Sequence, residues 1–186
     1  MIKKPHKLFL DFIRKSFGKH DNILKHACPQ GGPDVSVYVF RDCPEPGMIT
    51  GVTYGLSLAP MPGASPDSAR RELIISLESE DTLWAWNAAY FAAEYRGLRQ
   101  FSPGEVCFAE EPLAKDTQME GLLVYTTGIL PADEAWVKLP GYHIEFAQLY
   151  PMHRSELLIY ERFGFQQLWN HPGFEIYNPQ RAPIVI

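Results

Sequence analysis

Apolar positions along the chain follow two periods. Phe9, Ile13 and Phe17 recur at every fourth residue with Leu8 and Phe12 beside them, which predicts a helix of about ten residues with one apolar and one basic face. Gly18 supplies its stop. Trp84, Ala88, Phe91 and Tyr95 share a face in the same way, so an amphipathic helix is predicted over 82–96, with Asp81 as N-cap and Gly97 past its end. A third helix is predicted to open at Pro151 and close at Gly164, because proline suits the first helical turn and glycine the residue beyond the last.

Between these segments the pattern changes to short β-branched and aromatic runs. Strands are predicted over 35–40, 49–57, 71–77, 105–108, 121–126 and 142–149, with 174–181 as a closing strand or extended segment. Proline and glycine mark the connections: 28–34 reads as a loop, 42–47 as a turn, and 60–67 as an irregular linker too long for a tight hairpin. Strands that outnumber helices without regular βαβ alternation predict an α+β fold, a mixed and largely antiparallel sheet flanked by helices. No internal repeat interrupts this order.

Composition adds a size limit and a charge asymmetry. At 186 residues, 46% hydrophobic, the chain has material for one sizeable core. Leu8-Phe9-Leu10 is broken by Asp11 and Arg14, which leaves neither a signal-peptide core nor the roughly 20 apolar residues of a membrane span. The expectation is a soluble, cytoplasmic protein. Residues 1–27 carry seven lysines and arginines against Asp11 and Asp21, leaving ten basic and twenty acidic residues over 28–186. The organisation expected is therefore a basic amphipathic helix within 1–27, docked on an acidic body over 28–186, with no nucleic-acid or membrane partner.

Candidate chemistry is sparse. His20, His26 and Cys28 form the densest group of potential metal ligands, but tetrahedral zinc needs a second close pair and none follows, so no metal or cofactor is expected. Cys28, Cys43 and Cys107 are irregularly spaced and read as reduced, structural thiols. Glu110 and Glu111 are adjacent, which in an extended segment points them to opposite faces rather than to either side of one bond. Gly31-Gly32 and Gly51/Gly55 lack the spacing of a phosphate-binding loop. Gly55, inside a strand run, implies a bulge or a close backbone approach, and Glu72 demands a partner from Arg70, Arg71 or the preceding strand. His143 and His153 carry no assignment. A dispersed pocket built from Tyr54, Glu72, His143 and Glu156 is the reading that would make the chain an enzyme or small-ligand protein.

The stretch Ile49-Thr50-Gly51-Val52-Thr53-Tyr54-Gly55-Leu56-Ser57, followed by Arg71-Glu72-Leu73, resembles the core signature of the suppressor-of-fused (SUFU-like) family. Ile144 to Met152, then Ser155-Glu156-Leu157, Phe163-Gly164 and Asn178-Pro179-Gln180-Arg181, is similar to the family's later blocks, so the resemblance spans 35–181. It implies a single SUFU-like domain of the short bacterial type and a non-enzymatic protein-binding role as an immunity protein of a polymorphic toxin system. The partner implied is a protein, a basic toxin domain, met by a monomer or weak dimer. Tyr54, Gly55, Ser57, Arg71, Glu72, Pro151 and Glu156 are the signature residues, expected to be structural. Pro60, Met61, Pro62, Glu110, Glu111, Asp133 and Glu134 are the candidate contacts.

Overall fold

The β-branched and aromatic runs assemble into one eight-stranded sheet in the computed structural model, which describes residues 4–63, 65, 68–115 and 117–184. In chain order the elements are α1 (Pro5–Phe17), β1 (Asn22–His26), β2 (Val35–Arg41), β3 (Ile49–Tyr54), β4 (Arg70–Leu77), α2 (Leu83–Glu94), β5 (Val106–Phe108), β6 (Gly121–Thr126), β7 (Trp136–Leu139), β8 (Tyr142–Met152), α3 (Arg154–Phe163) and α4 (Phe165–Trp169). Across the sheet the strands run β1-β2-β3-β4-β8-β6-β5. β7 pairs with the first half of β8 and β6 with the second. The β4–β8 ladder is parallel and the other ladders are antiparallel, so the fold is mixed α+β.

Strand alternation sorts the apolar side chains onto two faces. Val35, Val37, Val39, Leu73, Ile75 and Leu149 turn toward α2 and pack with Trp84 and Phe91. Tyr38, Phe40, Val52, Ile74 and Phe146 turn the other way and meet Phe9 and Ile13 of α1, both fully buried. Further along that second face, α3, α4 and the C-terminal tail cover Leu123, Tyr150 and Met152. Phe9 and Ile13 lie on the apolar face of α1, and Gly18 ends the helix with φ 84°.

Several boundaries differ from the pattern-based expectation, each for a local reason. The run 49–57 is not one strand: β3 stops at Tyr54, and Leu56–Leu58 forms a 3-10 turn. α2 is buried at eight of its twelve positions rather than amphipathic, because a second layer closes over it, with Asn87 Nδ2 donating to Leu113 O at 2.7 Å. Asp81 accepts from Leu83 N–H at 2.9 Å from one residue before the cap position, which Thr82 occupies. Pro151 lies inside β8, beyond Leu149 where the β4 pairing ends, and so does not open α3; a residue without an N–H is tolerated where a strand has lost a neighbour. The tail 174–181 is a series of turns tied to the sheet by Glu78 N–H donating to Tyr177 O at 2.8 Å. β1, β7 and α4 were not predicted, and β1 lies within the segment assigned to the N-terminal arm.

Gly51 sets the distance between α2 and the sheet. A Cβ there would lie 2.8 Å from Ala85 Cβ and 3.0 Å from Ala85 Cα, so the helix rests directly on strand backbone. Gly51→Ala is expected to push α2 outward and lower stability by about 1–3 kcal/mol, the usual range for overpacking a close contact, as read by urea unfolding.

Candidate functional site

The most chemical-looking side chain of the signature, Glu72, is wholly buried at the start of β4. Its Oε1 accepts from Gly55 N–H at 2.7 Å, Ser57 N–H at 3.0 Å and Ser57 Oγ at 2.6 Å, and its Oε2 accepts from Thr53 Oγ1 at 2.6 Å. Burial pushes the carboxyl above the usual carboxylate range, and these four donors oppose the shift. Gly55 makes the arrangement available. Its φ of 142° belongs to glycine, and a Cβ there would meet Val35 Cα at 2.8 Å. The carbonyls of the same turn are held from the other side: Arg70 Nη1 donates to Ser57 O at 2.8 Å, and Arg96 Nη1 to Gly55 O at 3.4 Å. Arg96 also binds Pro33 O and Gly31 O, which fixes the 28–34 loop against the turn.

A second buried carboxylate repeats the theme near the other edge of the sheet. Glu156 of α3 pairs with Arg181 through both oxygens, Oε2 at 2.7 Å from Nη2. Its Oε2 also accepts from His153 N–H at 2.9 Å, which closes the first turn of α3. Arg181 donates to Pro151 O at 3.1 Å and lies 4.6 Å over the Phe174 ring, while His153 Nε2 is 3.0 Å from Arg181 O. This cluster welds the C-terminal tail to the β8–α3 junction. Arg181 was not foreseen as its centre; a lone arginine in a polar tail gives no sign of which buried acid it meets.

These contacts decide the dispersed-pocket reading. Tyr54 packs between His6 and Phe9 under α1, with ring centroids 4.9 and 4.6 Å away, and burial raises its phenol pKa. Glu72 and Glu156 share no hydrogen-bonding partner. His143 lines a surface hollow that none of the other three reaches. The four residues form no common site. The sheet likewise separates the histidines near the N-terminus: His20 packs on Tyr38 on the α1 face, His26 on Trp86 and Tyr90 on the α2 face. Among the described residues no group of three or more His, Cys, Asp or Glu side chains gathers at metal-binding spacing. Cys28, Cys43 and Cys107 are free thiols, and burial lifts Cys107 to about 11.

The candidate contact residues divide between faces. Pro60 is exposed and Pro62 accepts from Gln100 Nε2 at 2.7 Å, but Met61 is buried in the α2-side core, where its apolar side chain leaves water, and offers no contact surface. Ala64, Pro66 and Asp67 of the same linker, and Lys3 of the basic arm, lie outside the described residues. Glu110 and Glu111 are exposed after β5. Asp133 is exposed before β7, and Glu134 beside it lies 3.5 Å from Lys15 of α1. Among the described residues no helix is long and apolar enough to cross a membrane.

A row of side chains runs across three strands where β4, β8 and β7 meet. The ladders set Arg71 opposite Glu145 and Glu145 opposite Trp136. Arg71 Nη1 lies 3.0 Å from Glu145 Oε2 and Arg70 donates to Ser57 O, so of the partners expected for Glu72 the preceding strand supplies one, Thr53, and neither arginine does. Glu145 borders three shallow hollows of about 640, 370 and 370 Å³, and Trp136 is 47% exposed between two of them.

The Glu72 network makes a quantitative prediction for unfolding. Glu72→Ala strands all four donors and should lower stability by about 3–5 kcal/mol, whereas Glu72→Gln keeps the acceptor facing Gly55 and Ser57 and should lose about 1–3 kcal/mol. Urea midpoints in the order wild type, Glu72→Gln, Glu72→Ala check this.

Comparison with known proteins draws on both sequence and structure. A family model described as suppressor of fused protein (SUFU) matches residues 31–182. The chain is similar to a SUFU homolog from Neisseria gonorrhoeae, with a TM-score of 0.71 at 16% identity over 98% of this chain and 97% of that one. It is similar to a chain of a Sufu–Fu complex, with a TM-score of 0.64 at 16% identity over 97% and 92% of the two chains. It is also similar to Drosophila Suppressor of Fused, with a TM-score of 0.63 at 15% identity, covering 96% of this chain and 50% of that one. No curated protein sequence matches. At these identities the structures establish the fold, and the family model, which spans most of the chain, establishes membership. The chain belongs to the suppressor of fused protein (SUFU) family.

Proposed function

We propose that the chain is a non-enzymatic protein-binding module of the cytoplasm, and that it acts as an immunity protein which binds and neutralises a cognate toxin domain. The observation that carries this reading is the use made of Glu72 and Glu156. Both are committed to turn and tail contacts in the interior, so the polar groups of the signature build a scaffold and leave recognition to the surface. Family membership supports the protein-binding class, since one structural relative was solved as a Sufu–Fu complex. The acidic body supports a basic partner, because exposed carboxylates such as Glu110, Glu111 and Asp133 raise the encounter rate with a positively charged surface.

Affinity capture from the native host at low salt, with identification of bound proteins by mass spectrometry, tests the class. The expected result is one dominant protein partner. Expression of that partner alone should arrest growth, and co-expression of this chain should restore it. Capture of no specific protein would overturn the binding reading, and a captured partner that is harmless when expressed would overturn the immunity reading.

A further inference from the structure

α2 is buried except along one stripe. Trp86, Tyr90 and Glu94, one helical turn apart, are left half-exposed. The Trp86 and Tyr90 rings stack with centroids 5.4 Å apart and planes 15° from parallel. His26 stands edge-on to both at 5.2 and 5.3 Å, and its Nε2 is 3.8 Å from Glu94 Oε1. Burial, foremost, holds the Tyr90 phenol above its usual pKa, and the Glu94 carboxylate adds to the shift.

The stripe lies beside an open edge. His26 is the last residue of β1, whose one partner strand among the described residues is β2. Alternate main-chain N–H and C=O groups of an antiparallel edge strand point away from its neighbour. A segment laid along that edge would send every second side chain to the α2 side, against Trp86 and Tyr90. Lys25, between Leu24 and His26, points to the opposite face and does not repel a cation there. Just past α2 the protein already uses this chemistry within itself, with Arg99 lying 4.5 Å over the Tyr95 ring.

We propose that Trp86, Tyr90 and Glu94 form the landing site for an arginine on an extended segment of a protein partner that pairs with β1. A guanidinium fits because its planar face stacks on aromatic rings while its edge donates to carboxylates. The inference rests on the protein-binding reading above and names the partner's chemistry.

The test titrates the full chain, isotope-labelled for NMR, with the blocked pentapeptide Thr-Val-Arg-Val-Thr and with the same peptide carrying citrulline for arginine. Amide shifts should concentrate on 22–26, with movement of the Trp86 indole N–H. Citrulline, Trp86→Ala and Glu94→Gln should each weaken binding by about three- to tenfold, and Glu161→Gln, on the exposed side of α3, should leave it unchanged. Glu94→Gln replaces a surface group, so its effect is readable even if Trp86→Ala fails to fold. Equal binding of the citrulline peptide, shifts centred elsewhere, or no binding overturns the site. The Trp86→Ala/Glu94→Gln double variant, or Glu94→Gln alone if Trp86→Ala fails to fold, is then run in the native-host capture. Loss of the partner supports the site, whereas undiminished capture overturns it and leaves the protein-binding reading standing. Failure of the wild type to capture any partner removes the reading on which the site rests.

Discussion

Burying a carboxylate costs several kcal/mol unless donors are brought to it, and in this protein the donors for Glu72 exist only if the chain turns back at Gly55. Thr53, Gly55 and Ser57 reach one carboxylate from three successive odd-numbered positions, which no straight strand could do. The turn therefore ends β3 at Tyr54 and sets where the proline-rich linker begins. Arg70 and Arg96 hold its carbonyls, and Arg96 extends the constraint to the 28–34 loop and so to the entry of β2. One buried acid thus coordinates β2, β3, β4 and α2.

The sequence made most of this architecture visible where a period or a punctuating residue was strong. Phe9, Ile13 and Phe17 located α1 and its buried face, and β2, β4 and β6 were visible from their β-branched runs. Gly55 was identifiable as a close approach. What it approached was not, because Val35 and Asp34 lie some twenty residues away in sequence and only the sheet brings them together. The edge strands β1 and β7 were not legible because each is short and turns only two side chains inward, Leu24 and His26 or Val137 and Leu139, too few to register as a period. Pro151 misled for the opposite reason: a strand edge and a helix start both accept proline, and nothing local tells them apart.

The candidate site was less legible than the fold. Glu72 and Glu156 could be read as acids needing partners, but Arg181 lies 25 positions from Glu156 and Thr53 lies 19 from Glu72. The row Arg71–Glu145–Trp136 exists only through the parallel β4–β8 register. The Trp86–Tyr90–Glu94 stripe was present in the sequence at helical spacing. The more apolar face of the same helix masks it in the sequence pattern.

Glu72 is a structural carboxylate whose donors are held as tightly as the core. Residue-resolved hydrogen exchange on the free, full chain tests this most directly. Gly55 and Ser57 lie in a turn outside any strand ladder, where amides ordinarily exchange through local opening. If the account is right, both exchange only through global unfolding, with the same opening free energy as Leu73 and Ile75 in β4. Exchange of Gly55 and Ser57 at loop rates while β4 stays protected would mean that the carboxylate does not hold the turn.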